Sequence, residues 1–274
     1  GVAVAALRVA RASSGRLPYN KSMMKRSIRL LTTFAAASVV LSAQGKPVKL
    51  LISNGMKGVM EELAPQCEKA IGAPLAIQYS STFGLRKRIE AGEVFDATVI
   101  TSEGVTALTK QGKLAEGSSA YLGRSPLGIG IRTGARKPDI RTEAALKQAL
   151  LGAKSITYPQ DGATRGFIDN MFEKLGVAAQ VKPKILLAPS SGASTENVAT
   201  GKAEFVITLF SEMVPVKGIE VLGPLPGEYA TYVSFTAAAS SGAQNIDAAK
   251  KFIAFMSGPK TAPLLKAKGL EVHP

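Results

Sequence analysis

From residue 48 onward, short apolar runs alternate with segments of helical period, and the alternation rarely breaks. Residues 48–52 read as a buried strand and 56–71 as a helix, bent near Pro65. Strands at 74–79 and 97–100 follow, with helices at 82–91 and 103–111. Such alternation predicts a mainly parallel sheet with helices on its faces. The Gly-punctuated apolar run at 121–132 then reads as a strand crossing the molecule. A second set comes after it, with helices at 142–151, 165–175 and 194–200 and strands at 155–158, 184–187 and 205–209. A further strand is expected at 229–236, and helices at 246–257 and 260–268. Two similar sets joined by crossing strands predict an α/β fold of two lobes with a cleft between them. Lobe 1 would take residues 44–124 and be completed by 233–274, and lobe 2 would take 125–232. A hinge would lie near 122–126 and 230–236.

The first 43 residues have a different texture. Lys25-Arg26-Ser27-Ile28-Arg29 precedes an apolar stretch from Leu30 to Leu41 and then Ser42-Ala43-Gln44. A basic region, a short apolar core and a small-residue cleavage site make a secretory signal peptide, with cleavage expected after Ala43. Residues 1–22 read as upstream sequence. The apolar core falls short of the roughly 20 residues a membrane-spanning helix needs. The charge balance changes with this segment set aside. The whole chain carries 34 Lys/Arg and 20 Asp/Glu, and seven of the basic residues lie within 1–43. The rest of the chain is then net +7 by the same count. Those charges are scattered and not interleaved with aromatics, so no nucleic-acid surface is expected. A positive field still favours an anionic ligand.

Several chemistries are excluded by residues the chain lacks. His273 is the only histidine and Cys67 the only cysteine. Ser-His-Asp and Cys-His catalysis need a positioned base, which a histidine beside the C-terminus supplies poorly. Metal sites built from His and Cys are equally starved. Neither a Walker-type loop nor a G-x-G-x-x-G string is present. No catalytic residue, cofactor or metal is therefore assigned. Cys67 is expected to pack as a small apolar group, with no disulfide.

What the chain does have is a set of polar strand-to-helix junctions. They are Ser53-Asn54-Gly55-Met56-Lys57, Ser80-Ser81-Thr82, Asp161-Gly162-Ala163-Thr164-Arg165-Gly166, and the segment opened by Ser190-Ser191-Gly192. The first backbone N–H groups of a helix lack intrahelical partners and carry partial positive charge. Hydroxyls beside them either cap the helix or help it hold a small anion. Ligands in α/β folds bind at the carboxyl ends of the strands, where such junctions meet. Two junctions in each lobe suit a clamshell that closes on an anion. Arg165 has two readings, a bidentate anion clamp or a solvated surface arginine. Residues 208–212 end a strand beside the fourth junction and are expected to line the cleft too, with Phe210 suited either to it or to the core.

The string Arg88-Ile89-Glu90-Ala91-Gly92, followed by Ala97-Thr98-Val99-Ile100-Thr101, resembles the periplasmic molybdate-binding proteins of ABC importers. The likeness continues through Glu196-Asn197-Val198, Gly201-Lys202-Ala203-Glu204 and the 252–260 segment. It covers nearly all of 46–272. The resemblance implies the type II periplasmic-binding-protein fold and a tetrahedral oxyanion held by hydroxyls and N–H groups. Gly55 stands where that family has a serine, with Ser53 or Asn54 as substitutes. Ser81 and Thr82 keep the second junction's hydroxyls. Thr164-Arg165-Gly166 replaces P-A-G, Leu209 replaces a tyrosine, and Val198 matches. The ligand-binding set so implied is Ser53, Asn54, Gly55, Ser81, Thr82, Thr164, Arg165, Val198 and Leu209.

The expected function is that of a periplasmic, monomeric solute-binding protein, not an enzyme. It would bind a small anion and pass it to an ABC permease in the membrane. Molybdate or tungstate is one candidate ligand and a small organic anion the other. The alternative is an enzyme acting on small carboxylates on the same two-lobed fold.

Overall fold

The computed structural model describes residues 46–272. The signal-peptide segment and His273 lie outside the described residues. Strand β1 (Val48–Ser53) leads through a 3-10 turn (Asn54–Met56) into helix α1 (Lys57–Ile71). Then come β2 (Leu75–Ser80), α2 (Thr82–Glu90), β3 (Ala97–Thr101), α3 (Ser102–Lys110) and the long β4 (Ala120–Arg132). The second set is α4 (Glu143–Gly152), β5 (Ile156–Pro159), α5 (Arg165–Lys174), the short α6 (Ala178–Val181), β6 (Ile185–Ala188), α7 (Ser191–Ala199) and β7 (Phe205–Leu209). The chain finishes with α8 (Phe210–Met213), β8 (Ile219–Pro224), β9 (Tyr232–Ala239), α9 (Ile246–Met256) and α10 (Ala262–Ala267).

The strand order is β2-β1-β3-β9-β4-β7-β5-β6, with β8 added on β4. The β2-β1-β3 and β6-β5-β7 sets are each parallel. Antiparallel β9 and β4 run between them. Strand β4 changes partners part-way along. Its residues up to Pro126 pair with β9, and from Leu127 on they pair with β7. Pro126 has no N–H to donate, and it falls where the ladder passes from one partner to the other.

Strand β1 is apolar on both sides because both faces of its sheet are covered. Leu50 and Ile52 join Val59, Met60, Leu63, Phe252 and Ile253, so α1 and α9 cover one face. Leu51 and Ile100 join Leu85, Ile89, Val105 and Leu108 from α2 and α3 on the other. The i, i+4 pair Leu85 and Ile89 is thus a core stripe, each side chain contributing about 1.5–3 kcal/mol by burial. Helix α2 stops at Gly92, which sits at φ +91° where a Cβ would be strained. Asp96, buried beneath this turn, accepts the Lys49 N–H and the Asn245 N–H, each at 2.8 Å. It ties β1 to the start of α9.

Several elements depart from expectation, the short α6 and α8 among them. Helix α7 begins at Ser191 rather than 194, because the Ser190 hydroxyl caps it by accepting the Ala193 N–H at 3.2 Å. Residues 227–229 form a 3-10 turn, and β9 runs to Ala239. Ala237, Ala238 and Ala239 have weak strand propensity, but pairing with Val99, Thr98 and Ala97 imposes it. Strand β8 was not expected at all. It is an edge strand containing Gly223 and Pro224, residues that suppress a strand signal in sequence. Among the described residues no helix is long and apolar enough to cross a membrane.

Cys67 packs on the inner face of α1 with no exposed surface. Burial, helped by the Glu68 charge, pushes its thiol up to about 12. The native protein should therefore react with a thiol reagent such as DTNB far more slowly than denatured protein. One full equivalent consumed rapidly without denaturant would contradict this packing.

Candidate functional site

In each parallel set the strands end on the same edge, so their junctions with the following helices gather there. Ser81 caps α2, its Oγ accepting the Gly84 N–H at 3.1 Å. Thr101 caps α3 in the same way, accepting the Gly104 N–H at 3.2 Å. Ser190 does so for α7. Ser53 and Thr164 precede their helical turns without spending their hydroxyls on a cap. Thr82 Oγ1 lies 3.3 Å from Ser53 Oγ, which ties the first junction to the second.

These groups converge on one cavity with a volume of about 30 Å³. Ser53, Asn54, Ser81, Thr82 and Thr101 line it from the β1–β3 side. Asp161, Gly162, Ala163, Thr164, Ser190 and Ser191 line it from the β5–β6 side. Leu209, Val233 and Phe235 supply apolar wall. Most of this lining is neutral: hydroxyls, one amide and backbone. A neutral lining of this kind offers hydrogen-bond donors rather than countercharge.

Two carboxyl groups interrupt the neutral lining. Asp161 is exposed at the rim. Glu212 reaches the cavity from α8 and is largely buried. Burial pushes the Glu212 carboxyl above its ordinary range. Hydrogen bonds from the Thr208 hydroxyl, the Ser191 hydroxyl and the Leu209 backbone N–H oppose that rise without cancelling it. The site thus holds a carboxyl that gives up its proton less readily than an ordinary glutamate. Among the described residues no cluster of His, Cys, Asp and Glu could hold a metal ion.

Of the residues expected from sequence, Ser53, Asn54, Ser81, Thr82, Thr164 and Leu209 line the cavity. Gly55, Arg165 and Val198 do not. Gly55 is a packing glycine: a Cβ there would come within 2.4 Å of Phe235 Cζ. Its absence lets the Phe235 ring seat beneath the first junction. Arg165 is held on the flank of α5. Its Nε donates to Asp169 Oδ2 at 2.6 Å and its Nη1 to the Gln160 carbonyl at 3.3 Å, over the Tyr158 ring. Tyr158 donates its hydroxyl to the other Asp169 oxygen at 2.9 Å, which fixes the partner. Val198 is fully buried in the last turn of α7, against Ala203, Val206 and Met213. The cavity end of that helix is Ser190-Ser191, two turns earlier. Phe210 also packs against this cluster rather than lining the cavity.

Thr101 and Phe235 line the site without having been expected near it, while Asp161, Ser191 and Glu212 come from segments expected at the cleft but not from the nine named binding residues. Ser190-Ser191 repeats the Ser80-Ser81 pattern after a strand, and that signal was available. Glu212 was marked only by its place in the 208–212 segment, since one acid three residues past a strand is commonplace.

Residues 48–271 match the family model described as bacterial extracellular solute-binding protein. The chain is 27% identical over 246 residues to an aconitate isomerase from a Pseudomonas species, covering 87% of this chain and 93% of that protein. It is 23% identical over 249 residues to a molybdate-binding protein of Azotobacter vinelandii, covering 88% and 96%. Among solved structures, the Azotobacter vinelandii periplasmic molybdate-binding protein matches with a TM-score of 0.70 at 20% identity, over 83% of this chain and 100% of that one. The two-lobed binding-protein fold expected from sequence is the fold observed.

Glu212 gives the site a pH signature. Its folded pKa is raised, so the unfolded chain loses the proton first as pH climbs past the ordinary value near 4.5. Native stability conferred by the protonated form is complete below that pH and declines above it, until the folded group ionises. Glu212→Gln should therefore gain stability relative to the parent as pH rises above 4.5, by at most about 1.4 kcal/mol per pH unit. Chemical denaturation of both proteins across pH 4–8 measures it, and a difference independent of pH would refute the assignment.

Proposed function

The chain belongs to the bacterial extracellular solute-binding proteins, and from that premise we propose that it captures a small anion in the cavity between its two parallel-strand sets. The observation that carries this reading is the convergence of hydroxyls and helix starts from both sets on one cavity. In this reading the lobes divide at 124/125 and 232/233 and close on the ligand by a hinge near 122–126 and 230–236. The protein works as a periplasmic monomer and delivers its ligand to an ABC permease. The ligand is either a molybdate-type oxyanion or a small organic anion. Leu209 in place of a tyrosine and Glu212 within the cavity favour the organic anion. A carboxyl carrying a proton can donate a hydrogen bond to a carboxylate; once ionised, it repels any anion.

Calorimetry with molybdate, sulfate and a series of mono-, di- and tricarboxylates tests the reading. Ser53→Ala with Thr82→Val removes two hydroxyls that cap no helix, so the fold should be retained. Affinity for the bound anion should fall about tenfold or more, as expected for lost hydrogen bonds to a charged group. Absence of heat with every anion would sink the proposal.

Glu212 and the aconitate isomerase relative favour a second reading, turnover of an unsaturated polycarboxylate. The Glu212 carboxylate would take a proton from a carbon next to the double bond. The resulting allylic carbanion, delocalised into the substrate's carboxylates, would regain that proton from Glu212 at the other allylic carbon, and the double bond would shift. A raised pKa moves such a group toward the pH at which proton transfer in both directions is efficient. Proton NMR of cis- and trans-aconitate incubated with the protein decides. Interconversion lost in Glu212→Gln, with binding retained, supports turnover. Binding without interconversion leaves a receptor.

A further inference from the structure

The cavity does not end at Glu212. A chamber of about 220 Å³ adjoins it and shares Asn54, Ser190, Ser191 and Glu212 with its lining. The chamber also reaches Lys57 and Ser211. Ser211 is 2% exposed, and its hydroxyl has no hydrogen-bond partner among the described residues. Its backbone N–H, by contrast, is satisfied by Ser125 Oγ at 3.0 Å. A buried hydroxyl left unpaired is costly, and in a residue that lines a polar chamber it points to a ligand group that would pair it.

Lys57 opens the 15-residue helix α1, whose start has no side-chain cap. Its Nζ lies 3.7 Å from Glu61 and 5.9 Å from the centre of the Tyr79 ring. Both members of that ion pair are more than half exposed, so the pair is weak and the ammonium can change partners. The wall is close-fitting beside it. A Cβ on Gly58 would come within 2.4 Å of Pro215 Cγ, so α1 presses directly on the segment after α8.

We propose that this chamber is a second anion subsite, and that the ligand is a polycarboxylate spanning both chambers. One carboxylate sits among the hydroxyls of the first cavity. A second is held by Lys57 Nζ and Ser211 Oγ, and the carbon chain between them passes Glu212. This rests on the anion-binding reading and names its ligand class. The first cavity, at about 30 Å³, has room for one compact group, and the larger chamber takes the remainder of a short carbon chain. A single tetrahedral oxyanion in the first cavity would leave Ser211 unpaired.

Calorimetry on the intact protein with acetate, sulfate, molybdate, succinate, citrate and trans-aconitate tests the subsite, comparing the parent with Lys57→Gln and Ser211→Ala. Removing the cation or the hydroxyl should weaken binding of the polycarboxylates at least about fivefold and leave single-centre anions unchanged. Unliganded Lys57→Gln should melt with the parent, and unliganded Ser211→Ala with it or above it, since neither group has a strong partner there. Equal loss for every anion, no loss for any, or a parent that binds only single-centre anions overturns the subsite while leaving the anion cavity standing. A parent that binds no anion removes the anion reading itself.

Discussion

Everything at the proposed site follows from one constraint: the first turn of each helix has backbone N–H groups that the helix cannot satisfy. Parallel strands place the helix starts of each set along one edge, where those groups collect. The chain answers them with hydroxyls. Ser81, Thr101 and Ser190 spend theirs on capping. Ser53 and Thr164 stand at equivalent positions and keep theirs free of the cap. Capping and anion binding are the same physics applied to different partners. A junction that caps with one hydroxyl and turns the next toward the cavity is held rigid while still lining it. Strands β4 and β9 then join the two sets, because they run between them in the sheet.

Much of this was legible in the sequence. Strand and helix alternation gave the parallel sets, since buried parallel strands are apolar on both faces and helices are not. The four polar junctions were legible because small hydroxyl residues after an apolar run have few other uses. Elements whose structure depends on a distant partner were not legible. The alanines of β9 are strand only because β3 pairs with them, and β8 is strand only because β4 offers an edge.

The site residues divide in the same way. Hydroxyls at strand ends are placed by local geometry, so Ser53, Ser81, Thr82 and Thr164 reach the cavity. Arg165 and Val198 depend on their surroundings. Asp169 and Tyr158 hold the arginine aside, and no local pattern announces that pairing. Val198 lies at the far end of its helix because that helix starts a turn earlier than the apolar period suggests. Gly55 works through Phe235, some 180 residues away in the chain, so its role is visible only when both are in place.

Glu212 is the feature that a purely neutral oxyanion cavity does not explain. A buried acid beside an anion is costly when ionised, because both charges are desolvated and of like sign. The cost disappears if the acid keeps its proton, and burial biases it that way while Thr208, Ser191 and the Leu209 N–H keep its oxygens hydrogen-bonded. Three donors around one carboxyl are more than a merely tolerated acid requires; they hold it in one orientation at the boundary between two chambers. A proton-bearing group fixed there can donate to a carboxylate on either side. In the proposed reading the same residue accounts for tolerance of an acid inside the cavity and for a preference for anions with two acceptor groups a few carbons apart.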